Sequence, residues 1–377
     1  VNVLFASDHA YLPQRVGGTK SSTHDLCLSL RARGHRVAVV AALGGRDAIG
    51  VRHRIAERLG VPGPWTDRAV GYPVHRARRV DAAAVAAAAA RERADIVVVQ
   101  AERPSPVIDA ARATGLPVLV YLRDVELRKM DRPPPDAPDV AYVANSAFTA
   151  GRWREAFGID PVPVPPLIRP ERYRCAPSGE RVVFVNPVPE KGADTAFALA
   201  EARPDVPFLF VAGWPVPPEA DRERRARAAR LANVEWHPSV QDMRVVYRRA
   251  RLLLAPSRWE EAWGRVASEA QVSGIPVLAS RRGGLPEAVG PGGLVVDHDA
   301  PLSDWLAALS AAIDDPRRHA ALSAAAAAHA ARPEFAPDAL VRQFEAVAGA
   351  HAARRPAPPA PTATARPGPA HAGGPAC

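Results

Sequence analysis

The chain has 377 residues, with 49 Lys plus Arg against 40 Asp plus Glu and a formal net charge of +9. That length favours two or three domains over one. Lysine occurs only at Lys20, Lys129 and Lys191, so the other 46 basic residues (49 − 3) are Arg, beside 40 Pro. This is the composition of a GC-rich genome, and with charges spread out and no basic–aromatic stripe it carries no argument for nucleic acid.

Apolar residues at 47% and charged residues at 24% are those of an ordinary soluble globular protein. No stretch approaches the roughly 18–20 apolar residues of a membrane span. The strand-like opening at residues 1–6 offers no secretory leader, and a cytoplasmic location is expected. Cys27, Cys175 and Cys377 lie far apart in no metal-ligand spacing, so neither a disulfide framework nor a zinc site is expected.

Short β-branched runs alternate with helical stretches, the pattern of parallel sheets with crossover helices. Residues 1–6, 36–43, 96–100, 117–122 and 140–144 read as strands buried on both faces. Gly17-Gly18 precedes a helix over about 20–33 that Gly34 stops. Residues 160–170 are too proline-rich for a helix or an internal strand and read as a semi-rigid linker, with a hinge between about 167 and 180.

The alternation restarts with strands expected at 181–185, 207–212, 234–237, 251–255, 276–280 and 293–297. Helices are expected to begin near 191, 218, 241, 263 and 285, followed by an amphipathic helix over 302–313 and a last one marked by Leu340, Phe344 and Val347. From about 354 the chain is of low complexity and disorder is expected. The poly-Ala runs at 82–90 and 324–328 read as a propensity effect without functional message. The result is two doubly wound α/β domains facing across a cleft, where ligands of such sheets bind at the carboxyl ends of the strands. The expected division is 1–168, 169–334, a C-terminal helix over 335–353 packing back on the first domain, and a tail over 354–377.

The most informative segment runs from Pro256 to Ser280. A polar loop carries Glu260 and Glu261, Gly264 opens a helix, and that helix holds Glu269, seven residues separating the outer pair. Both carboxylates are expected to face one crevice, with the N–H groups of Ala262, Trp263, Gly264 and Arg265 forming an anion site at the positive end of the helix dipole. Carboxylates beside an anion site suit neutral hydroxyls, which sugars and riboses supply.

This segment resembles the retaining glycosyltransferases of family 4, with the GT-B fold. Their Glu–seven residues–Glu motif, E-x-F-G-x-x-x-x-E-A-x-A-x-G-x-P-V, is matched by Glu261-Ala262-Trp263-Gly264, Glu269-Ala270 and Gly274-Ile275-Pro276-Val277. Val185-Asn186-Pro187-Val188-Pro189-Glu190-Lys191-Gly192 resembles the family's G-R-L-x-x-x-K-G, and Gly17-Gly18 its glycine pair.

The resemblance implies a nucleotide-diphosphate-sugar donor, a small hydrophilic acceptor and no metal. It assigns Glu269 to the ribose hydroxyls, Glu261 to the sugar near its anomeric centre, and Lys191, Gly17 and Gly18 to the diphosphate. Ala262–Arg265 would supply N–H groups, and the backbone near Pro238 and Val240 would touch the base. Asn186 stands where the family has an arginine, a counter-charge that Arg265 or Arg258 would have to replace. Arg123 and Asp124, where a first-domain histidine is usual, become acceptor-side candidates, and Trp263 in place of Phe is expected to reshape the donor pocket.

In a chain of GC-rich composition, the resemblance implies a setting in specialised metabolism, including antibiotic biosynthesis. Asp297-His298-Asp299 matches a D-x-D metal pattern but reads as a turn, and Arg281-Arg282-Gly283-Gly284 reads as a loop into the helix carrying Glu287. Competing readings are a GT-B nucleotide-sugar epimerase and a catalytically silent GT-B partner subunit.

Overall fold

The structure is a computed structural model that describes residues 1–45 and 47–354. The expected tail lies outside the described residues from 355 onward, as does Cys377. The first sheet holds β1 (Asn2–Ala10), β2 (Arg36–Ala42), β3 (Trp65–Asp67), β4 (Val74–Ala77), β5 (Ile96–Val99), β6 (Val118–Leu122), β7 (Val140–Ala144) and β8 (Val162–Pro163). Their spatial order is β3-β4-β2-β1-β5-β6-β7-β8, and only the β3–β4 pair is antiparallel.

The second sheet is parallel throughout. It orders β9 (Arg181–Val185), β10 (Phe208–Val211), β11 (Val234–His237), β12 (Ala250–Ala255), β13 (Val277–Ser280) and β14 (Gly293–Val296) as β11-β10-β9-β12-β13-β14. Each sheet is covered on both faces by apolar side chains. The two Rossmann-like domains anticipated from the alternating pattern are present.

Every strand expected from a continuous apolar run exists, because burial on both faces demands such runs. Three further strands, β3, β4 and β8, were not anticipated. β4 reads Val-His-Arg-Ala and hides its burial behind two polar residues. Arg76 is fully buried there because Asp67 Oδ2 (2.8 Å) and the carbonyls of Tyr11 and Leu12 satisfy its guanidinium. β8 is two residues at the sheet edge, where a proline costs no ladder bond. The run at 324–328 lies in a full helix, Pro316–Ala330.

The last helix, Pro337–Ala352, leaves the second domain and packs on the first. Its Phe344 is fully buried and stacks on Phe5 and Tyr121 at 6.2 Å each. Polar ties frame that contact. Glu345 accepts from Arg33 Nε (2.6 Å) and pairs with His35 (2.9 Å), Gln343 donates to the Pro163 carbonyl, and His351 Nε2 to the Asp139 carbonyl. The chain therefore crosses between domains twice, through the proline-rich linker and again just before Pro337.

A second set of contacts closes the cleft. The Ala147–Phe157 helix of the first domain has its N-terminus capped by its own Ser146 hydroxyl and also by Glu287 of the second domain. The Glu287 carboxylate accepts from the N–H groups of Ala147 (2.8 Å) and Phe148 (2.7 Å), the positive end of that helix. Thr149 donates to the Ala262 carbonyl at 3.2 Å, and Arg152 pairs with Glu260 at 3.3 Å.

Two outcomes follow from this architecture. Phe344→Ala removes a buried ring from the packed helix and is expected to cost about 3–5 kcal/mol, read as a lower urea midpoint; an unchanged midpoint contradicts the anchoring. Glu287→Ala is expected to raise the radius of gyration in small-angle scattering while Glu287→Gln, which keeps one acceptor, raises it less. Identical scattering from all three proteins would mean that the carboxylate does not hold the domains together.

Candidate active site between the domains

Two loops at the carboxyl edge of the second sheet form the centre of the site. After β9 the chain makes a short 3-10 turn, Pro189–Lys191, and then turns sharply at Gly192 (φ +80°). A Cβ on Gly192 would lie 1.9 Å from the Pro256 carbonyl oxygen, so only glycine lets this loop approach the one after β12. The Glu190 carbonyl then accepts from the N–H groups of Arg258 (3.0 Å) and Trp259 (2.9 Å), zipping the loops together.

Between them the Lys191 ammonium pairs directly with the Glu261 carboxylate. Glu261 Oε1 also accepts from the buried Ser257 hydroxyl at 2.9 Å, and the Ser257 carbonyl is held by Ser280 at 2.6 Å. Glu261 is fixed from its other side by the Arg281–Gly284 loop, where Gly284 N–H donates to the Glu261 carbonyl (2.6 Å) and Gly283, at φ +63°, bridges alongside. A Cβ at Gly283 would sit 2.1 Å from the Glu261 carbonyl oxygen. The Arg281–Gly284 segment is the expected loop into the helix carrying Glu287, and its glycine pair positions the Glu261 carboxylate.

Glu269 stands differently from the expectation of two acids on one open rim. It is 7% exposed, accepts from the buried Tyr247 hydroxyl at 3.1 Å, and pairs with Arg265 Nε at 3.1 Å. Burial and the neighbouring Glu269 push the Tyr247 hydroxyl well above its ordinary pKa, so it remains a donor. Burial opposes the charge of Arg265, yet Glu269, Tyr173 and Asp25 together outweigh it and raise the pKa. Arg265 also donates to the Leu167 carbonyl (3.1 Å) and the Tyr173 hydroxyl (3.0 Å), and approaches Asp25 of the first domain at 3.8 Å. Its guanidinium is committed to this junction and does not stand in for the arginine that Asn186 replaces.

Gly18 meets the same junction, a Cβ there lying 3.6 Å from the Arg265 side chain, and Gly17 precedes it at the start of the Gly18–Ala32 helix. The first-domain glycine pair and the second-domain motif helix therefore touch. Among the described residues, the N–H groups of Ala262, Trp263, Gly264 and Arg265 donate to no protein acceptor. Pro238 and Val240 follow β11 at the same carboxyl edge, Pro238 exposed and Val240 half-buried.

Three expected site residues turn elsewhere. The Trp263 indole donates to Ser268 Oγ (3.0 Å), meets Phe335 edge-on at 5.8 Å and lines a cavity of about 190 Å³ beside the linker, so the ring does not shape the Lys191–Glu261 side. Arg123 lies over the Tyr121 ring at 3.8 Å, with Nε and Nη2 sealed from solvent and unpaired, and burial lowers its pKa. Asp124 pairs with Lys129 at 2.5 Å on the first-domain rim.

Asn186 is 7% exposed with φ +65°, and its Oδ1 accepts from the Trp214 N–H at 2.8 Å. Sequence reasoning missed Trp214, whose ring lies 4.8 Å from the Lys191 ammonium. The visible signal was a lone tryptophan directly after an apolar strand. Asp297 pairs with Arg281, and among the described residues no three His, Cys, Asp or Glu side chains gather as a metal site. Nor is any described helix long and apolar enough to cross a membrane.

Comparison with known proteins agrees with this geometry. The family model for glycosyl transferases group 1 matches residues 180–329, and that for Glycosyltransferase Family 4 matches residues 16–172. The D-inositol 3-phosphate glycosyltransferase of Segniliparus rotundus is 34% identical over 233 residues, covering 54% of this chain and 51% of that protein. The chain thus spans about half the length of the curated relative it matches.

Among solved structures, Anabaena Alr3699/HepE in complex with UDP-glucose superposes with a TM-score of 0.73 at 18% identity, covering 93% of this chain and 99% of that one. Sucrose-phosphate synthase from Thermosynechococcus elongatus gives 0.75 at 18% identity, covering 92% and 98%. These likenesses show the fold, and the two family models together cover both sheets apart from β1. With its Glu–seven residues–Glu segment and two facing Rossmann-like domains, the chain belongs to the family 4 glycosyltransferases of GT-B fold.

Proposed function

We propose that the protein transfers a sugar from a nucleoside-diphosphate sugar to a small hydrophilic acceptor with retention of anomeric configuration. The observation that carries this reading is the Lys191–Glu261 pair in the loops at the carboxyl ends of β9 and β12, beside the motif helix that Gly18 approaches. UDP-glucose is the ligand in the Anabaena neighbour, and D-inositol 3-phosphate, a small hydroxyl-rich compound, is named for the curated relative. Composition alone supports specialised metabolism as the setting.

In this reading the bond between the anomeric carbon and the β-phosphate oxygen breaks as the acceptor hydroxyl bonds to the same face of that carbon. The acceptor's proton passes to the departing phosphate oxygen. Negative charge then grows on the diphosphate, and Lys191 and the free N–H groups of Ala262–Arg265 are the donors placed to receive it. The Glu261 carboxylate accepts hydroxyls of the sugar and is a positioning group rather than a nucleophile. Glu269, already bonded to Tyr247 and Arg265, has lone pairs left for ribose hydroxyls. We further propose that Lys191 and the N–H groups perform the charge neutralisation that a metal performs in other transferases.

Lys191→Ala is expected to lower turnover by about 100–1,000-fold, measured as acceptor-dependent release of nucleoside diphosphate. Full turnover in that variant would remove the ammonium from the chemistry. Release of an altered sugar with no acceptor present would instead indicate an epimerase, and an inverted anomer by NMR would refute retention. Treatment with a chelator is expected to leave the rate unchanged; a loss restored by a divalent cation would put a metal in the role proposed for Lys191.

A further inference from the structure

We propose that Trp214 is a further donor-binding residue whose indole stacks on the base of the nucleotide. The inference rests on the donor reading above and adds to it the group that grips the nucleoside.

Trp214 is 50% exposed, unusual for the largest apolar side chain, and it stands beside the lysine of the site. Its loop is held in place by a specific bond. Asn186 adopts the left-handed conformation that non-glycine residues seldom take and turns its buried side chain to accept the Trp214 N–H at 2.8 Å. The Lys191 ammonium lies over the ring, 4.8 Å from its centre, a cation–π contact that orients both groups. Half of its surface remains available to a ligand.

The sheet order decides which part of the ligand that surface meets. Lys191 follows β9, and Glu261 follows β12 on one side of it. Trp214 follows β10 on the other side, between Lys191 and the Pro238–Val240 loop after β11. The sugar lies toward Glu261 in the proposed reading, so Trp214 stands on the nucleoside side of the diphosphate. A flat, half-exposed indole there offers a π-face to a base of any identity, and stacking of this kind tolerates all bases. The position that lacks the family's arginine thus holds an aromatic platform, through Asn186.

The rival role is that the ring serves only to steady Lys191. Titration calorimetry with UDP, GDP, ADP and inorganic pyrophosphate separates the two. Trp214→Ala is expected to weaken the best-bound nucleoside diphosphate by about fivefold or more, while pyrophosphate affinity stays within about twofold. Trp214→Phe keeps a π-face and is expected to fall between wild type and Ala, whereas Lys191→Ala weakens both ligands. Equal losses for nucleotide and pyrophosphate in Trp214→Ala would overturn the stacking role in favour of the steadying one, and no loss for either would overturn both. Wild-type protein that binds none of the nucleotides would sink the donor reading itself, an outcome distinct from a failure at Trp214.

Discussion

The pairing of Lys191 with Glu261 sets the spacing of everything else at the cleft. The two residues come from loops 70 positions apart, and they meet because Gly192 and Gly283 let three backbone segments run closer than any side chain would allow. A bare ammonium at the carboxyl edge of a parallel sheet would suffer a desolvation cost as a ligand closes over it. With its counter-ion in the same site, the ammonium is one half of a neutral pair, and an arriving anion would have to draw it away from Glu261. Ser257, anchored through Ser280, keeps the carboxylate in place.

The same loop is the point at which the second domain grips the first. Glu260, Glu261 and Ala262 are consecutive; Glu260 pairs with Arg152 across the cleft, and the Ala262 carbonyl accepts from Thr149. Glu287, one helix further on, occupies the N-terminus of the same first-domain helix. Domain closure and the position of Glu261 are therefore one mechanical problem. The final helix adds a second tie, because Phe344 locks the returning chain to the first domain and the two domains are joined by two short crossings.

Much of this was legible in the sequence, for identifiable reasons. Strands buried on both faces must be continuous apolar runs, so the long central strands announced themselves, whereas β4 concealed its burial behind His75 and Arg76, whose partners lie elsewhere in the chain. The seven-residue spacing of Glu261 and Glu269 was visible, but their unequal exposure was not. It depends on Tyr247, Tyr173 and Leu167, which no local pattern connects to the motif. Trp263 showed the same limit. Its place in the motif was readable, but the direction of its ring is set by Phe335 and Ser268.

The floor of the cleft shows how an Arg-rich chain pairs its buried charges. Asp25 and Glu269 are buried there with Arg172, Arg265 and Arg123 nearby, two acids against three bases. Arg172 and Arg265 take up the two carboxylates, while Arg123 has no acidic partner. Burial works against the charge of Arg123 and lowers its pKa. Two guanidiniums of this junction are thus held by carboxylates, and the third rests on an aromatic ring.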